Sequence, residues 1–451
     1  MIRPIFVAGA LAATAAALPV PKSHTDTPGG TVVSMTVPVG QMPAVEEIAH
    51  DIWSIKYSNS SKQNLDLNVH VGHDGLEALR TLGGAAVTGT LIDDVHTLVD
   101  EQAQARTGDW DREESMRVVG AKADPFFDEY RPNEEIDEYL RMLAEAHSDI
   151  AEYVPSIGPS VQGNPIRAII IGGEDGGPAV YNQCGIHARE WITHTTCMYI
   201  IVELLESQDP AIRQLVNQVR FVFVPNGNPD GYIWSWAENG NRLWRENRAV
   251  PPASNPTCFG VDLNRNFDAL WNDGPPGCSS SNPCSQTYHG TGPASEAEVE
   301  AMQNFAIEIG NTHQYLGAID WHSFTQLILR PYGYQATPVP PNDAFAAAVG
   351  DAMADAIESV HGMSYTNQPS TDLYPVCGCA IDFLYETTLG VTFTMELRPA
   401  TSGGGGFILP PAQIVPTGEE NMAGFVVYSQ RILNGFLNGT EGAPKRKPTL
   451  N

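Results

Sequence analysis

The sequence predicts an α/β fold, with a mixed, largely parallel central sheet flanked by helices, preceded by a small α+β domain. Three observations predict it. From Phe126 onward, apolar strands such as IRAIIIGG, AVYNQCG and VRFVFVPN alternate with helical stretches, EWITHTTCMYIIVELLES among them. Strands that are apolar throughout, rather than on alternate residues, belong to sheets covered on both faces. Ahead of them, residues 31–105 hold short strands and helices enough for a unit of their own. Between the two lies RTGDWDREESMRVVGAKADP, charged and poor in apolar residues, which reads as a connecting segment.

Taken in order, TVVSMTVPV alternates as a strand does and VEEIAHDIWSI has helical spacing. NLDLNVHV alternates again, GLEALRTL is a short helix, AAVTGTLI a strand and DDVHTLVDEQAQA an amphipathic helix. In the connecting segment, Arg106, Arg112, Arg117 and Lys122 stand open to a trypsin-like protease. PNEEIDEYLRMLAEAHSDI opens the larger domain as a helix, and the tail APKRKPTLN is polar and basic. The chain therefore divides into residues 1–17, the small unit with its connector at 18–118, the large domain at 119–440 and a tail at 441–451.

The first of these reads as a secretory signal peptide. Arg3 supplies the positive start, Ile5 to Ala13 the apolar stretch and Ala15-Ala16-Ala17 a small-residue cleavage site. No later apolar run reaches the roughly 20 residues that span a bilayer. An exported, soluble protein is expected, with no membrane partner. The 53 Asp and Glu against 25 Lys and Arg, a formal charge of -28, argue against nucleic-acid binding, which calls for a basic stripe. In an oxidising compartment the seven cysteines read mainly as disulfides. Cys184 and Cys197 flank one motif and Cys258 and Cys284 another, while Cys278, Cys377 and Cys379 leave an odd member. Asn59-Ser60-Ser61 and Asn438-Gly439-Thr440 are glycan acceptor sequences.

Of twelve histidines, only His187 has a glutamate three places on, Glu190. The pair follows a strand and opens a helix, where positions i and i+3 face the same way and can converge on one cation. A hydrolytic zinc site needs a third protein ligand and an open position. His322 is the best candidate, at the end of the strand LGAIDWHS, because open α/β sheets place binding residues at the carboxyl ends of strands. His70 and His73 lie in the small unit, His194 faces elsewhere on its helix, and His361 starts a turn.

HAREW, NPDGY, NRLWRENR, GVDLNRNF, PCSQTYHG, DWHSFTQ and FTMELRP occur in the order and at the spacing of the pancreatic-type carboxypeptidases A and B. The resemblance covers about residues 115–440, and LIDDVHTLVDEQ resembles the end of that family's inhibitory propeptide. It implies a zinc-dependent exopeptidase made as a zymogen, with peptide or protein C-termini as substrates, an activating protease as partner and a monomeric state. His187, Glu190 and His322 match the zinc ligands, Glu396 the general base and acid, and Arg245 the arginine that polarises the scissile carbonyl. Asn264 and Arg265 match the pair that binds the terminal carboxylate, for which arginine's planar fork is suited. Tyr374 matches the tyrosine that closes over the bound end. Arg189, Ser323, Phe324 and Thr394 fall at further substrate-contacting positions.

Ile381 falls where the resemblance places the residue that separates the two specificities. An apolar side chain there implies release of aliphatic or aromatic residues rather than Lys or Arg. Cys258–Cys284 and Cys184–Cys197 match family disulfides. The chain departs from the pattern at Phe324, in place of a tyrosine, and at Cys377 and Cys379, which occupy small-residue positions of the pocket wall. Two rival functions are a non-catalytic binding module, against which Glu396 and a full ligand set stand, and a deacylase of amino-acid conjugates, which has no need of the carboxylate clamp.

Overall fold

The computed structural model describes residues 27–59, 61–105, 110–238, 240–440 and 442–444. The signal-peptide reading, Ser60 of the first sequon, Arg106 and most of the basic tail lie outside the described residues.

The N-terminal unit is a four-stranded antiparallel sheet carrying helices. Its elements are β1 (Thr31–Pro38), α1 (Met42–Ile48), β2 (Asp51–Tyr57), β3 (Asn64–Val71), α2 (His73–Thr81), β4 (Ala86–Ile92) and α3 (Val95–Gln104), with strand order β2-β3-β1-β4. VEEIAHDIWSI is not one helix. The helix stops at Ile48, and Asp51–Tyr57 pairs with β3, so the ladder to a neighbouring strand overrides the local helical spacing. Val33, Met35, Val37, Leu67 and Val69 alternate onto one face and make the unit's own core.

The connecting segment is less detached than its charge suggests. It holds a single turn, α4 (Arg112–Ser115), capped by the Asp111 carboxylate, which accepts from Glu114 N at 3.0 Å. Trp110, 3% exposed, sits edge-on to Phe126 and Tyr139 in the core of the large domain, and its Nε1 donates to Ser115 Oγ at 2.6 Å. Trp110 and, from Ala121, the chain that follows belong to the core of that domain, while Val119 between them is 71% exposed.

The large domain runs α5 (Asn133–Ala146), β5 (Ala151–Pro159), β6 (Pro165–Ile171), β7 (Pro178–Cys184), α6 (Trp191–Glu206), α7 (Pro210–Gln218), β8 (Arg220–Val224), α8 (Pro229–Trp236), α9 (Ala297–Thr312), β9 (Gln314–Ser323), β10 (Leu327–Arg330), α10 (Asp343–His361), β11 (Thr366–Pro369), α11 (Ala380–Thr388), β12 (Val391–Leu397) and α12 (Ile414–Asn438). Its eight-stranded sheet has the order β11-β10-β12-β9-β7-β8-β6-β5. The central run β12-β9-β7-β8 is parallel, while β6 and β5 on one side, and β10 against β12 on the other, pair antiparallel. A mixed, largely parallel sheet was expected, and this is it. Phe221 and Phe223 face one core with α6, α10 and α12, whereas Val222 and Val224 face a second core with α9 and α11. Two covered faces explain why these strands read as unbroken apolar runs. The carboxyl ends of β7, β9 and β12 come together at one edge of this sheet, and the cleft lies there.

Candidate active site

His187 and Glu190 leave β7 on a turn, not on the first turn of a helix. The helix α6 begins at Trp191 with Glu190 as its N-cap, and Glu190 N donates to His187 O at 3.2 Å. The tight exit requires Gly185, at φ +70°, where a Cβ would stand 2.3 Å from the buried His194 ring. His322 arrives one residue before the end of β9, as expected from its place in the strand.

The three side chains converge while buried. His187 Nδ1 lies 2.8 Å from Glu190 Oε1 and 3.1 Å from His322 Nδ1, and His322 Nδ1 lies 3.2 Å from Glu190 Oε2. Each imidazole turns its other nitrogen to a carboxylate: His187 Nε2 to Asp262 Oδ1 at 3.1 Å, and His322 Nε2 to Asp320 Oδ2 at 2.7 Å. Those carboxylates hold the ring protons on Nε2, so two Nδ1 lone pairs and a carboxylate point at one another. Three acceptors that have no proton among themselves to share call for a cation. A two-imidazole, one-carboxylate set suits zinc. Among the described residues this is the one group of three ligand atoms within 4.8 Å of one another.

The outer carboxylates were not singled out from the sequence, although a signal existed. Asp320 stands two residues before His322 on a strand, hence on the same face, and Gln183 Nε2 on the neighbouring strand donates to its Oδ1 at 3.0 Å. Asp262 takes bonds from Arg245 Nη2 at 2.8 Å and from Asn264 N at 2.9 Å as well as facing His187. Burial opposes its charge, but Arg245, Arg265 and His187 together hold it well below the usual carboxylate range.

Glu396, on β12, stands directly beside His322 in the parallel register. It keeps part of its surface open to the cleft. Withdrawal from water, opposed by His322 and reinforced by Glu190, pushes its carboxyl up to about 8. Arg245 reaches from Asp262 toward the triad, with Nη1 3.2 Å from His187 Nδ1. Arg265 is 2% exposed; its Nη1 donates to Asn264 O at 3.0 Å and lies 3.6 Å from Asp262 Oδ2, while its Nε has no hydrogen-bond partner among the described residues. Asn264 is fixed beside it by its Oδ1, which accepts from Ala380 N at the start of α11 at 2.8 Å.

His187, Glu190, His322, Glu396, Arg245, Asn264 and Arg265 line one cavity of about 820 Å³, together with Ser323, Phe324, Tyr374, Ile381 and Thr394. The structure thus brings the sequence-derived set into one place. Arg189 is the exception in its surroundings. It lies over the Phe407 ring at 4.0 Å, and its Nη1 pairs with Asp51 of β2, so the N-terminal unit occupies it. Residues 42–55 of that unit form the opposite wall of the cavity, and Trp53 packs edge-on to Phe324 and Phe407. Neither Asp51 nor Trp53 was singled out from the sequence, because their segment read as helix.

Cys184–Cys197 and Cys258–Cys284 are disulfides, and Cys278 pairs with Cys377, leaving Cys379 as the buried free thiol. Closing the 99-residue separation between Cys278 and Cys377 is worth about 4–5 kcal/mol on the chain-entropy account.

Residues 136–424 match the zinc carboxypeptidase family model. The chain is 34% identical to the mast cell carboxypeptidase A of Rattus norvegicus over 76% of this chain and 78% of that protein. It is 36% identical to zinc carboxypeptidase A 1 of Anopheles gambiae, over 75% and 76%. Among solved structures, carboxypeptidase A from Helicoverpa armigera superposes with a TM-score of 0.74 at 26% identity, covering 89% of this chain and 97% of that one.

Proposed function

Because this chain belongs to the zinc carboxypeptidase family and is a metallocarboxypeptidase, we propose that its cleft releases single aliphatic or aromatic residues from the free C-terminus of peptides. We propose further that the intact chain is a secreted zymogen. The observation that carries the first reading is the shared cavity: Arg265, a buried arginine whose Nη1 lies 3.6 Å from Asp262 Oδ2, lines the same space as the metal-ligand triad and Glu396. An endopeptidase has no use for a buried cation there, whereas a chain end needs one.

His187, Glu190 and His322 would hold the zinc. When bound, zinc polarises the scissile carbonyl and lowers the pKa of a water to about 7. Glu396 takes the proton of the attacking water and returns it to the leaving amine, a role for which its place beside His322 and its opening to the cleft suit it. Arg245 donates to the carbonyl oxygen as negative charge develops on it, and Asp262 holds the guanidinium ready for that. Arg265 and Asn264 bind the terminal carboxylate, and Tyr374 closes over it. Ile381 and Thr394 line the side-chain pocket, and Arg189, Ser323 and Phe324 meet residues upstream of the cut.

The zymogen reading rests on Asp51, Trp53 and residues 42–55, which stand where upstream substrate residues would run. Trp110 packs into the large domain, which favours a division between the two units ahead of it rather than at residue 118. Three disulfides accord with an oxidising compartment, and no helix among the described residues is long and apolar enough to cross a membrane.

The test is hydrolysis of blocked dipeptides ending in Phe or Arg, before and after limited trypsin treatment, with and without a chelator. Chelator-sensitive release of Phe over Arg, appearing only after cleavage, is expected, and N-terminal sequencing should place the new end before Trp110. Release of Arg over Phe would overturn the pocket assignment. No release from folded, zinc-loaded protein would overturn the exopeptidase reading.

A further inference from the structure

Cys379 lines the cavity together with Leu329, Val376, Ile381 and Thr394, and is 2% exposed. Its sulfur is packed on the far side as well. A Cβ added at Gly333 would lie 2.8 Å from it, and its S–H points to Val376 O at 3.6 Å. Burial, with Asp382 beside it, pushes the thiol well above its ordinary value, so the sulfur remains a neutral packing group.

The chain on both sides of Cys379 is tied down. Cys377 is bonded to Cys278. Gly378, at φ +66°, lies so close to the Arg265 backbone that a Cβ would stand 2.4 Å from Arg265 O, and its carbonyl accepts from Phe267 N at 2.9 Å. Ala380 N is bonded to Asn264 Oδ1. Arg265 and Asn264 are the residues assigned above to the substrate carboxylate. The thiol is therefore held at a set distance from the point where the substrate's end is anchored, and a side chain entering beside it meets a wall that cannot retreat.

We infer that Cys379 sets the size limit of the side-chain pocket, so that C-terminal Leu, Ile and Val are released in preference to Trp, Tyr and Phe. This rests on the exopeptidase reading above and narrows its substrate class. In a close-packed pocket, one group of methyl size discriminates by about tenfold or more.

The experiment measures kcat/KM for blocked dipeptides ending in Leu and in Trp, on trypsin-treated, zinc-loaded wild type, Cys379→Gly and Cys379→Val. The wild type should favour Leu, Cys379→Gly should move the ratio toward Trp by about tenfold or more, and Cys379→Val should move it the other way. A wild type that favours Trp, or ratios in both variants within about twofold of wild type, would overturn the inference while leaving the exopeptidase reading intact. Should Cys379→Gly fail to fold, an unchanged ratio in Cys379→Val overturns it alone. Cleavage of neither substrate by the wild type overturns both.

Discussion

The two walls of the cleft are built on different terms. On the metal side, ligands and clamp are bonded within one domain: Asp262 alone serves His187, Arg245 and Asn264, and Glu190 Oε2 accepts from Ser323 N at 3.0 Å. On the other side, the N-terminal unit is attached through Asp51 to Arg189, Asn68 to Ser402, Gln102 to Leu409 O and Arg242, and the aromatic contact of Trp53. It carries its own core besides. Removing one of the charged members of the first wall leaves a buried charge uncompensated, whereas the second wall has a core of its own and, on the zymogen reading proposed above, leaves as a unit once the connection is cut. On the proposed function, the difference separates residues that perform a reaction from residues that withhold it.

The largest break expected on the metal side is Glu396→Gln. It should keep about one zinc per chain by metal analysis and lose about 10²–10⁴-fold in kcat. Turnover near the wild-type level would remove Glu396 from its role as base.

On the covering side, Asp51→Ala leaves Arg189 buried without its ion partner, a loss that is costly in an interior. The uncleaved chain should then hydrolyse the Phe substrate about tenfold faster than the uncleaved wild type, while trypsin-treated forms of both should match. Equal activity of the uncleaved proteins would show that the pair does not hold the cover closed.

The smallest effect sharpens the contrast between charge held by partners and charge held by burial. Glu298 accepts from Val161 N and Asn247 Nδ2, yet burial raises its carboxyl to about 7, and Asp382 and Glu246 are raised to about 7 by burial as well. As pH rises above 4.5 the unfolded state gives up protons that the folded state still holds, so the stability contributed by these groups is present at acidic pH and is lost as pH rises through about 7. Between pH 5 and 8 the Tm of Glu298→Gln, which carries no titrating group there, should fall less or rise more with pH than that of the wild type, whose slope also carries the opposite contribution of His70 and His194, lowered by burial to about 4. An unaltered slope would count against the raised Glu298.

Much of the site was legible because it is written in local terms. His187 with Glu190, His322 at a strand end, and Asn264 beside Arg265 are short-range patterns, and a linked series of them leaves little room for another family. The alternation of apolar strands and helices likewise reads within windows of ten or twenty residues, since it reflects side-chain direction along one element. Asp51 and Trp53 were hidden for the opposite reason. Helical spacing over VEEIAHDIWSI is a property of the segment, but the strand at Asp51–Tyr57 exists because β3 offers it a ladder.

The sequence by itself determined which chemical groups line the cleft, the α/β class and the presence of a separate unit ahead of it. Tertiary structure decided which carboxylates stand behind the imidazoles, which cysteine goes unpaired, that Trp110 belongs to the large domain, and that Arg189 meets Asp51 across 138 residues of chain. Residue type and short spacing set which groups are available, but contacts between distant segments arise only when the sheet order and the packing of its two faces bring them together.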